Sequence, residues 1–597
     1  MHLVRRAMRL TPLAKHFIHD PTHLISTALQ SVTQTNPTTA LDAENKVVYL
    51  RPDAVKSQVS LVSGGGAGHE PSFASFVGPG LLSGAVAGTI FASPSAEQIR
   101  RCILERVDSS KGVLVVVMNY TGDVLNFGMG VEKAKAAGID AEMIVVGDDA
   151  GVGRAKGGKV GRRGIAGTVL VQKVAGALAA TGAELQDVYK VAQNVAANTV
   201  SIGSSLSHVH VPGRALDGED ELKQNELEIG MGIHNEPGSE RTTTDLPETV
   251  QKMLKYMLDQ SDKDRGFLDI SSSDKAVLLV NNLGGVSPLE MGGITAEVVN
   301  QLSKTYSIKP VRILSGTFMT SLNGLGFSIS LLKVTSTGVA NADILTLLDA
   351  PAEAAGWSAP IKSSTWDSPP KDVLEKPAGY NTSNKPCNIN VDPKLVTSAL
   401  NNALNKVIAA EPDITRYDTV VGDGDCGIGL RRGAESLLSQ ALPAIQNEQD
   451  AGHLLDKIIN VVENTMDGTS GAIYAIFLNA LAHGIRVQAP SSPTPATSQI
   501  WAQALQTAMQ NLSRYTPAKP GDRTLVDALQ PFVDTLVSSG DVDKAAQAAD
   551  EGCKSTKGMQ ASLGRTVYVG GSGFEEVPDP GAYGLVVFLS ALAESVK

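Results

Sequence analysis

The sequence predicts a multidomain protein: an α/β N-terminal half joined by a proline-rich linker to an all-α C-terminal half. Three observations carry that reading. Short runs of branched apolar residues recur from Asn45 to Val334, each ending in a glycine-rich or polar turn and separated by helical segments. Seven prolines, at 351, 360, 369, 370, 377, 386 and 393, then interrupt the pattern. Beyond them, apolar residues return at helical spacing. At 597 residues the chain is also too long for one hydrophobic core.

Taken in order, residues 1–15 form an N-terminal extension. Arg5, Arg6, Arg9 and Lys15 precede the first acid, Asp20; a short organelle-targeting segment and a disordered extension both fit. Residues 16–349 make the α/β region. Ser60-Leu61-Val62 runs into the turn 63–71, Val113–Val117 into 119–123, and Met143–Val146 into 147–149. Val277–Val280 and Val311–Leu314 end in the same way. In such folds ligands gather at the carboxyl ends of strands, where these turns lie. Residues 350–390 read as linker, and 391–597 as the helical domain. There Leu454, Leu455, Ile458, Ile459 and Val462 share a helical face, as do Trp501, Leu505, Met509 and Leu512.

The composition is 42% hydrophobic and 19% charged, with 59 glycines, as in a globular protein rich in tight loops. A formal charge of −11 argues against a nucleic-acid partner. A phosphate ligand would have to be held by backbone N–H groups, a metal or single basic residues. Cys102, Cys387, Cys426 and Cys553 are scattered with no Cys-x-x-Cys, so a reducing, cytoplasmic location is expected rather than a disulfide framework or zinc site. No run approaches the ~20 apolar residues of a membrane span.

The densest chemistry lies in residues 417–427, where Asp418, Asp423 and Asp425 fall within eight residues fenced by Gly422, Gly424 and Gly427. A helix would gather two of the three and a strand would oppose Asp418 to the others. A glycine turn can gather all three. Converging carboxylates need a cation, and hard oxygens suit Mg²⁺ or Ca²⁺. An EF-hand is excluded by Ile428 and Ala434 where glycine and glutamate are required. That leaves a Mg²⁺ site with open positions for phosphate, against an ordinary solvated acidic turn. Downstream, Asp467-Gly468-Thr469-Ser470-Gly471 opens an apolar helix and offers an anion site. Gly521-Asp522-Arg523-Thr524 and Asp579-Pro580-Gly581-Ala582 also begin helices and could complete a nucleotide pocket.

In the first half, Gly64-Gly65-Gly66-Ala67-Gly68-His69-Glu70-Pro71 ends a strand and lets backbone approach a small polar ligand, with His69 as acid or base. Asp123 ends another strand and could share that rim. His234, in Gly230-Met231-Gly232-Ile233-His234-Asn235-Glu236-Pro237-Gly238, has an open approach that allows its imidazole to add to a carbonyl. His208 and His210 alternate as on a strand but lack a nearby third metal ligand. Residues 153–160 nearly spell a P-loop, but Val160 stands where a hydroxyl should reach Mg²⁺, so this is a basic glycine-rich loop.

Together, GGGAGHEP, NYTGD, GMGIHNEPG, GDGDCG, DGTSG and DPGA, in that order from about His16 to Lys597, resemble the dihydroxyacetone (glycerone) kinases in their single-chain ATP-dependent form. The resemblance implies a substrate-binding K domain of two α/β subdomains and a nucleotide-binding L domain that is a helical barrel or bundle. It implies a homodimer that phosphorylates dihydroxyacetone and D-glyceraldehyde with ATP. His234 would hold the ketone as a hemiaminal, excluding glycerol. Gly66, Ala67, Gly68, His69 and Asp123 would hold the substrate hydroxyls, with His69 and Asp123 assisting proton removal. Asp418, Asp423 and Asp425 would bind two Mg²⁺ ions bridging the ATP phosphates. Asp425, Cys426, Gly427, Ile428, Thr469, Ser470, Arg523, Thr524, Asp579, Pro580 and Gly581 would line the nucleotide site.

Two residues depart from the family pattern: Met118 where many members carry Lys, and Ala67 where a serine is common. Two other functions stay in view, cleavage of FAD to AMP and cyclic FMN by the same nucleotide domain, and a ligand sensor without turnover.

Overall fold

The computed structural model describes residues 16–214, 222–358, 361–368, 386–466, 468–563 and 573–596. The basic extension therefore lies outside the described residues. The chain divides into two compact units between residues 374 and 375.

The first unit holds two six-stranded sheets. One runs β1 (Thr39–Asp42), β2 (Val47–Leu50), β4 (Gly84–Ile90), β3 (Ser60–Ala67), β5 (Val113–Met118), β6 (Ala141–Val146) in spatial order. Its β4, β3, β5 and β6 are parallel. β5 shows why so apolar a segment is a strand. Val113, Val115 and Val117 pack with Ile99, Ile103, Phe127 and Val131 on one face. Leu114, Val116 and Met118 join the core on the other, so both faces are covered and the run is continuously hydrophobic.

The second sheet runs β11 (Arg312–Gly316), β10 (Ala276–Asn282), β12 (Gly326–Lys333), β7 (Thr199–Ser205), β8 (Leu227–Ile229), β9 (Glu240–Thr242). Apart from the parallel β10–β11 pair it is antiparallel. The three-residue β8 and β9 are too short for periodicity to reveal. Helices Leu246–Leu258 and Pro288–Tyr306 cover one face. Helix Thr168–Ala179, with all twelve residues buried, belongs to the core that contains inward residues of both sheets. Two of its polar side chains donate inside the core: Gln172 to Ser63 Oγ at 2.9 Å and Lys173 to the Leu347 carbonyl at 2.8 Å.

Both ends of the stretch read as linker are packed. Ala354 and Trp357 are buried in the first core, and Asp367 pairs with Arg312 at 3.3 Å. Cys387 and Ile389 are buried in the second unit, where Ile389–Asn390 pairs with Thr494–Pro495. Of that stretch's prolines, Pro351 and Pro386 lie in irregular backbone and Pro393 opens a helix; residues 359–360 and 369–385 lie outside the described set.

The second unit is a ring of helices. Pro393–Val421, Cys426–Ser436, Ala451–Thr465, Gly468–Arg486, Ser498–Leu512, Val526–Ser539, Val542–Ser555 and Pro580–Ser595 each pack on the next, and the last packs on the first. The ring surrounds an apolar cavity of about 760 Å³ lined by residues such as Leu404, Leu455, Phe477 and Phe588.

Candidate active and nucleotide sites

The turns that follow β3, β5 and β8 in the first unit enclose a cavity of about 330 Å³ lined by Gly66, His69, Asp123, His234, Glu236 and neighbouring aromatic and hydroxyl side chains. Close approach requires the glycines here. A Cβ on Gly66 would meet the Ala92 nitrogen at 2.6 Å, and Gly68, at φ +110°, would drive one into the Phe91 ring. Ala67 and Gly68 themselves are not among the lining residues. Ala67 is buried in the core.

His69 and His234 meet edge to face with their Nε2 atoms 3.0 Å apart. The other nitrogen of each ring faces an acceptor: His69 Nδ1 lies 2.9 Å from the Thr320 carbonyl and His234 Nδ1 lies 2.9 Å from Glu236 Oε1. Each Nδ1 is thus placed to donate, and the two Nε2 atoms face each other within hydrogen-bond distance. Burial, then the charge of His234, lowers the His69 imidazole to about 3. Burial raises the Glu236 carboxyl, but the hydrogen bonds and charge of His234, with Arg163 behind them, bring it to about 2. Arg163 lies 2.7 Å from Asp149 and 3.9 Å from Glu236. Asp123, in the first turn of helix Thr121–Ala136, is held above the usual carboxylate range by burial, opposed by a hydrogen bond from Ser93. Its Oδ1 has no partner among the described residues. Met118 is 1% exposed and contributes a thioether, not a donor, to the cavity wall.

In the second unit, helix Pro393–Val421 ends at Gly422, and Gly424 turns the chain at φ +79° into helix Cys426–Ser436. This helix–turn–helix gathers what neither regular element could. One oxygen each of Asp418, Asp423 and Asp425 lies within 4.8 Å of the others. Asp418 also accepts from the Cys426 N–H at 2.9 Å. Neither Asp418 nor Asp425 pairs with a Lys or Arg among the described residues. An all-oxygen donor set of this kind fits Mg²⁺. No other group of this kind occurs among the described residues; His208 instead lies 3.5 Å from Glu228.

Beside the trio, Cys426 Sγ lies 4.0 Å from Ser470 Oγ, and burial, then Asp418, pushes its thiol up to about 12. Thr469 and Ser470 occupy the first turn of helix Gly468–Arg486. Asp467 lies outside the described residues. Asp579 caps helix Pro580–Ser595 through the Ala582 N–H. Burial raises its carboxyl to about 7, with Asp418 and Asp527 adding to the shift. Ile428 is exposed. Gly427 is a packing glycine, since a Cβ there would meet Thr415. Arg523, expected to line the nucleotide site, has its guanidinium turned to backbone carbonyls. It is 3% exposed and donates to the Met559, Phe574 and Val577 carbonyls, because a buried guanidinium takes the nearest acceptors. Thr524 donates its N–H to Asp527.

Glu236, Arg163 and Thr320 were not singled out from sequence. Glu236 stands two places from His234, but Thr320 meets His69 across 251 residues, which no local pattern reveals.

Comparison with known proteins matches residues 30–356 to the Dak1 domain and 420–594 to the DAK2 domain. The chain is 43% identical to the dihydroxyacetone kinase of Komagataella pastoris, over 96% of this chain and 97% of that one. It is 33% identical to the triokinase/FMN cyclase of Homo sapiens, over 96% and 97%. The dihydroxyacetone kinase from C. freundii in complex with AMP-PNP and Mg²⁺ is 30% identical, with a TM-score of 0.63 over 98% of this chain and 100% of that chain. The two motif sets, both domain matches and near full-length similarity agree: the chain belongs to the dihydroxyacetone kinase family.

Proposed function

We propose that this chain is an ATP-dependent kinase of dihydroxyacetone, and of D-glyceraldehyde, that holds the acceptor covalently on His234. The observation that carries the reading is the His69–His234–Glu236 chain facing a polar cavity, in a protein that also gathers three carboxylates that could hold a metal.

The chemistry follows from the two imidazoles. His234 Nε2 attacks through its lone pair, so in the reactive tautomer the proton between the two rings sits on the facing His69 Nε2. As the Nε2–C2 bond forms, the carbonyl π electrons move to oxygen, which takes that same proton. The product is a hemiaminal whose imidazolium remains paired with Glu236. His69 Nε2 is then a free lone pair which, with Asp123, takes the proton of the hydroxyl to be phosphorylated. Glycerol has no carbonyl and escapes capture. Asp418, Asp423 and Asp425 would hold Mg²⁺, which when bound neutralises and orients the triphosphate; Ser470, Thr469 and Asp579 would line the nucleotide.

A coupled ATP assay with dihydroxyacetone, D-glyceraldehyde and glycerol, run beside intact-mass detection of the ketone adduct, tests this. Turnover of glycerol at a rate comparable to the ketone would sink the covalent-capture mechanism. The human relative's name supports a second activity of the same nucleotide site, cleavage of FAD to cyclic FMN, measured with FAD and Mn²⁺. A cytoplasmic homodimer completes the reading. All four cysteines are unpaired, which supports a reducing compartment, and no helix among the described residues is long and apolar enough to cross a membrane.

A further inference from the structure

The row of charged groups behind His234 does not stop at Glu236. Glu236 Oε1 lies 2.9 Å from His234 Nδ1, and its Oε2 accepts from the His234 N–H at 3.0 Å. On the far side of that carboxylate stands Arg163, with Nη1 3.9 Å from Oε2. Arg163 Nε donates to Asp149 Oδ2 at 2.9 Å, and Nη2 lies 2.7 Å from that carboxylate and donates to the Gly230 carbonyl at 2.7 Å. Asp149 follows β6 of the first sheet, whereas Gly230 and Glu236 follow β8 of the second. One guanidinium thus ties a turn of one sheet to the loop of the other that carries His234.

Burial separates the fixed members of this row from the movable one. Asp149 is 1% exposed, and its Oδ1 accepts from the Gly151 N–H at 2.7 Å. Glu236 keeps 34% of its side chain in water and stands on backbone without regular structure. Its approach to Arg163 depends on Gly232, where a Cβ would collide with both Glu236 Oε2 and Arg163 Nη1. Phe91 and Tyr120 meet the His234 ring edge to face. Those contacts pack the imidazole but do not select which nitrogen carries its proton; Glu236 does. Other charges nearby are engaged elsewhere: Asp148 accepts from the Ile165 and Gly167 N–H groups, Arg162 lies over the Phe267 ring, and Lys156 donates to the Pro237 carbonyl. Without Arg163, the Asp149 and Glu236 carboxylates would flank an uncompensated gap, and the one able to move away is Glu236. With it, the imidazolium formed on capture completes an alternating row of Asp149, Arg163, Glu236 and His234 charges.

Resting on the kinase reading, we propose that Arg163 is a positioning residue for ketone capture, whose charge pins the Glu236 carboxylate so that His234 presents Nε2 to the carbonyl. It acts through Glu236 and is not among the residues that line the cavity.

The test is a double-mutant cycle on the full-length chain, read by NMR titration with the isotopically labelled ketone and by steady-state kinetics. Arg163→Met, and Arg163→Gln, which keeps a donor for Asp149 while removing the charge, should each weaken the adduct about tenfold, as for groups sharing one ion-pair network. The loss should fall on KM for dihydroxyacetone, with kcat and Mg-nucleotide binding within about twofold of the parent, and Arg163→Lys should recover the adduct to within about threefold. Because Arg163 works through Glu236, adding Arg163→Met to Glu236→Gln should weaken the adduct by less than about threefold further. An adduct as strong in the methionine and glutamine variants as in the parent overturns the proposal. So does a full further tenfold loss on top of Glu236→Gln, which would make Arg163 a general prop of the fold, or a lysine variant as weak as the methionine one. Absence of the adduct in the parent chain would instead strike covalent capture itself.

Discussion

Replacing Glu236 with Gln isolates the group that orients His234 while keeping its size. Its carboxyl is drawn from the ordinary 4.5 to about 2 against the opposing effect of burial. A shift of that size corresponds to about 3 kcal/mol, and with 34% of the side chain still in water a discounted value of about 2 kcal/mol is appropriate. The imidazolium formed on capture loses that partner in Glu236→Gln, so kcat/KM for dihydroxyacetone should fall roughly 30-fold. Titration of the isotopically labelled ketone by NMR should show the adduct weakened by a similar factor, with Mg-nucleotide binding unaltered. The sign in pH is fixed as well: a depressed carboxyl contributes stability above its unfolded value and loses it as pH falls toward about 2. Capture as tight in the glutamine variant as in the parent would refute the role assigned to Glu236.

Three further outcomes follow. His234→Ala should abolish the ketone adduct and leave Mg-nucleotide binding intact; a covalent adduct on that variant would transfer the nucleophile elsewhere. Asp423→Ala should remove Mg-nucleotide binding, read by calorimetry, while the adduct still forms on His234; retained Mg²⁺-dependent binding would remove Asp423 from the metal site. Because His69 is held neutral down to about 3, the unfolded chain takes up its proton first as pH falls through 6.5. The resulting loss is about 2 kcal/mol at pH 5. Denaturant unfolding at pH 7 and 5 should show it, and His69→Asn should shrink it; an equal fall in both proteins would contradict the buried neutral imidazole.

What the residues revealed in advance depended on distance along the chain. The aspartate trio was legible because Gly422, Gly424 and the three acids lie within eight residues of chain. The apolar runs that became β3, β5 and β10 were legible because both faces of each are covered, and those of the edge strands β6 and β11 because branched residues end in polar turns. The partnership of His69 and His234 spans 165 residues and depends on how two sheets are packed. Arg523 reads as a nucleotide-pocket residue because its neighbours are glycine, acid and threonine. Only its burial and its three carbonyl acceptors reveal a cross-tie. Lys173 shows the same limit: a lysine within an apolar helix suggests a solvent face, yet this helix has none.

That fully enclosed helix, Thr168–Ala179, has a mechanical corollary. Its core draws on both sheets, and the keto pocket takes His69 and Asp123 from one sheet's turns and His234 from the other's. The sheets should therefore melt as a single cooperative block, so a break in the chain between them would yield fragments that are incompetent alone and regain ketone capture only on reassembly. Enlarging or hollowing that helix, as in Val174→Ala, would be felt equally by histidines it never touches.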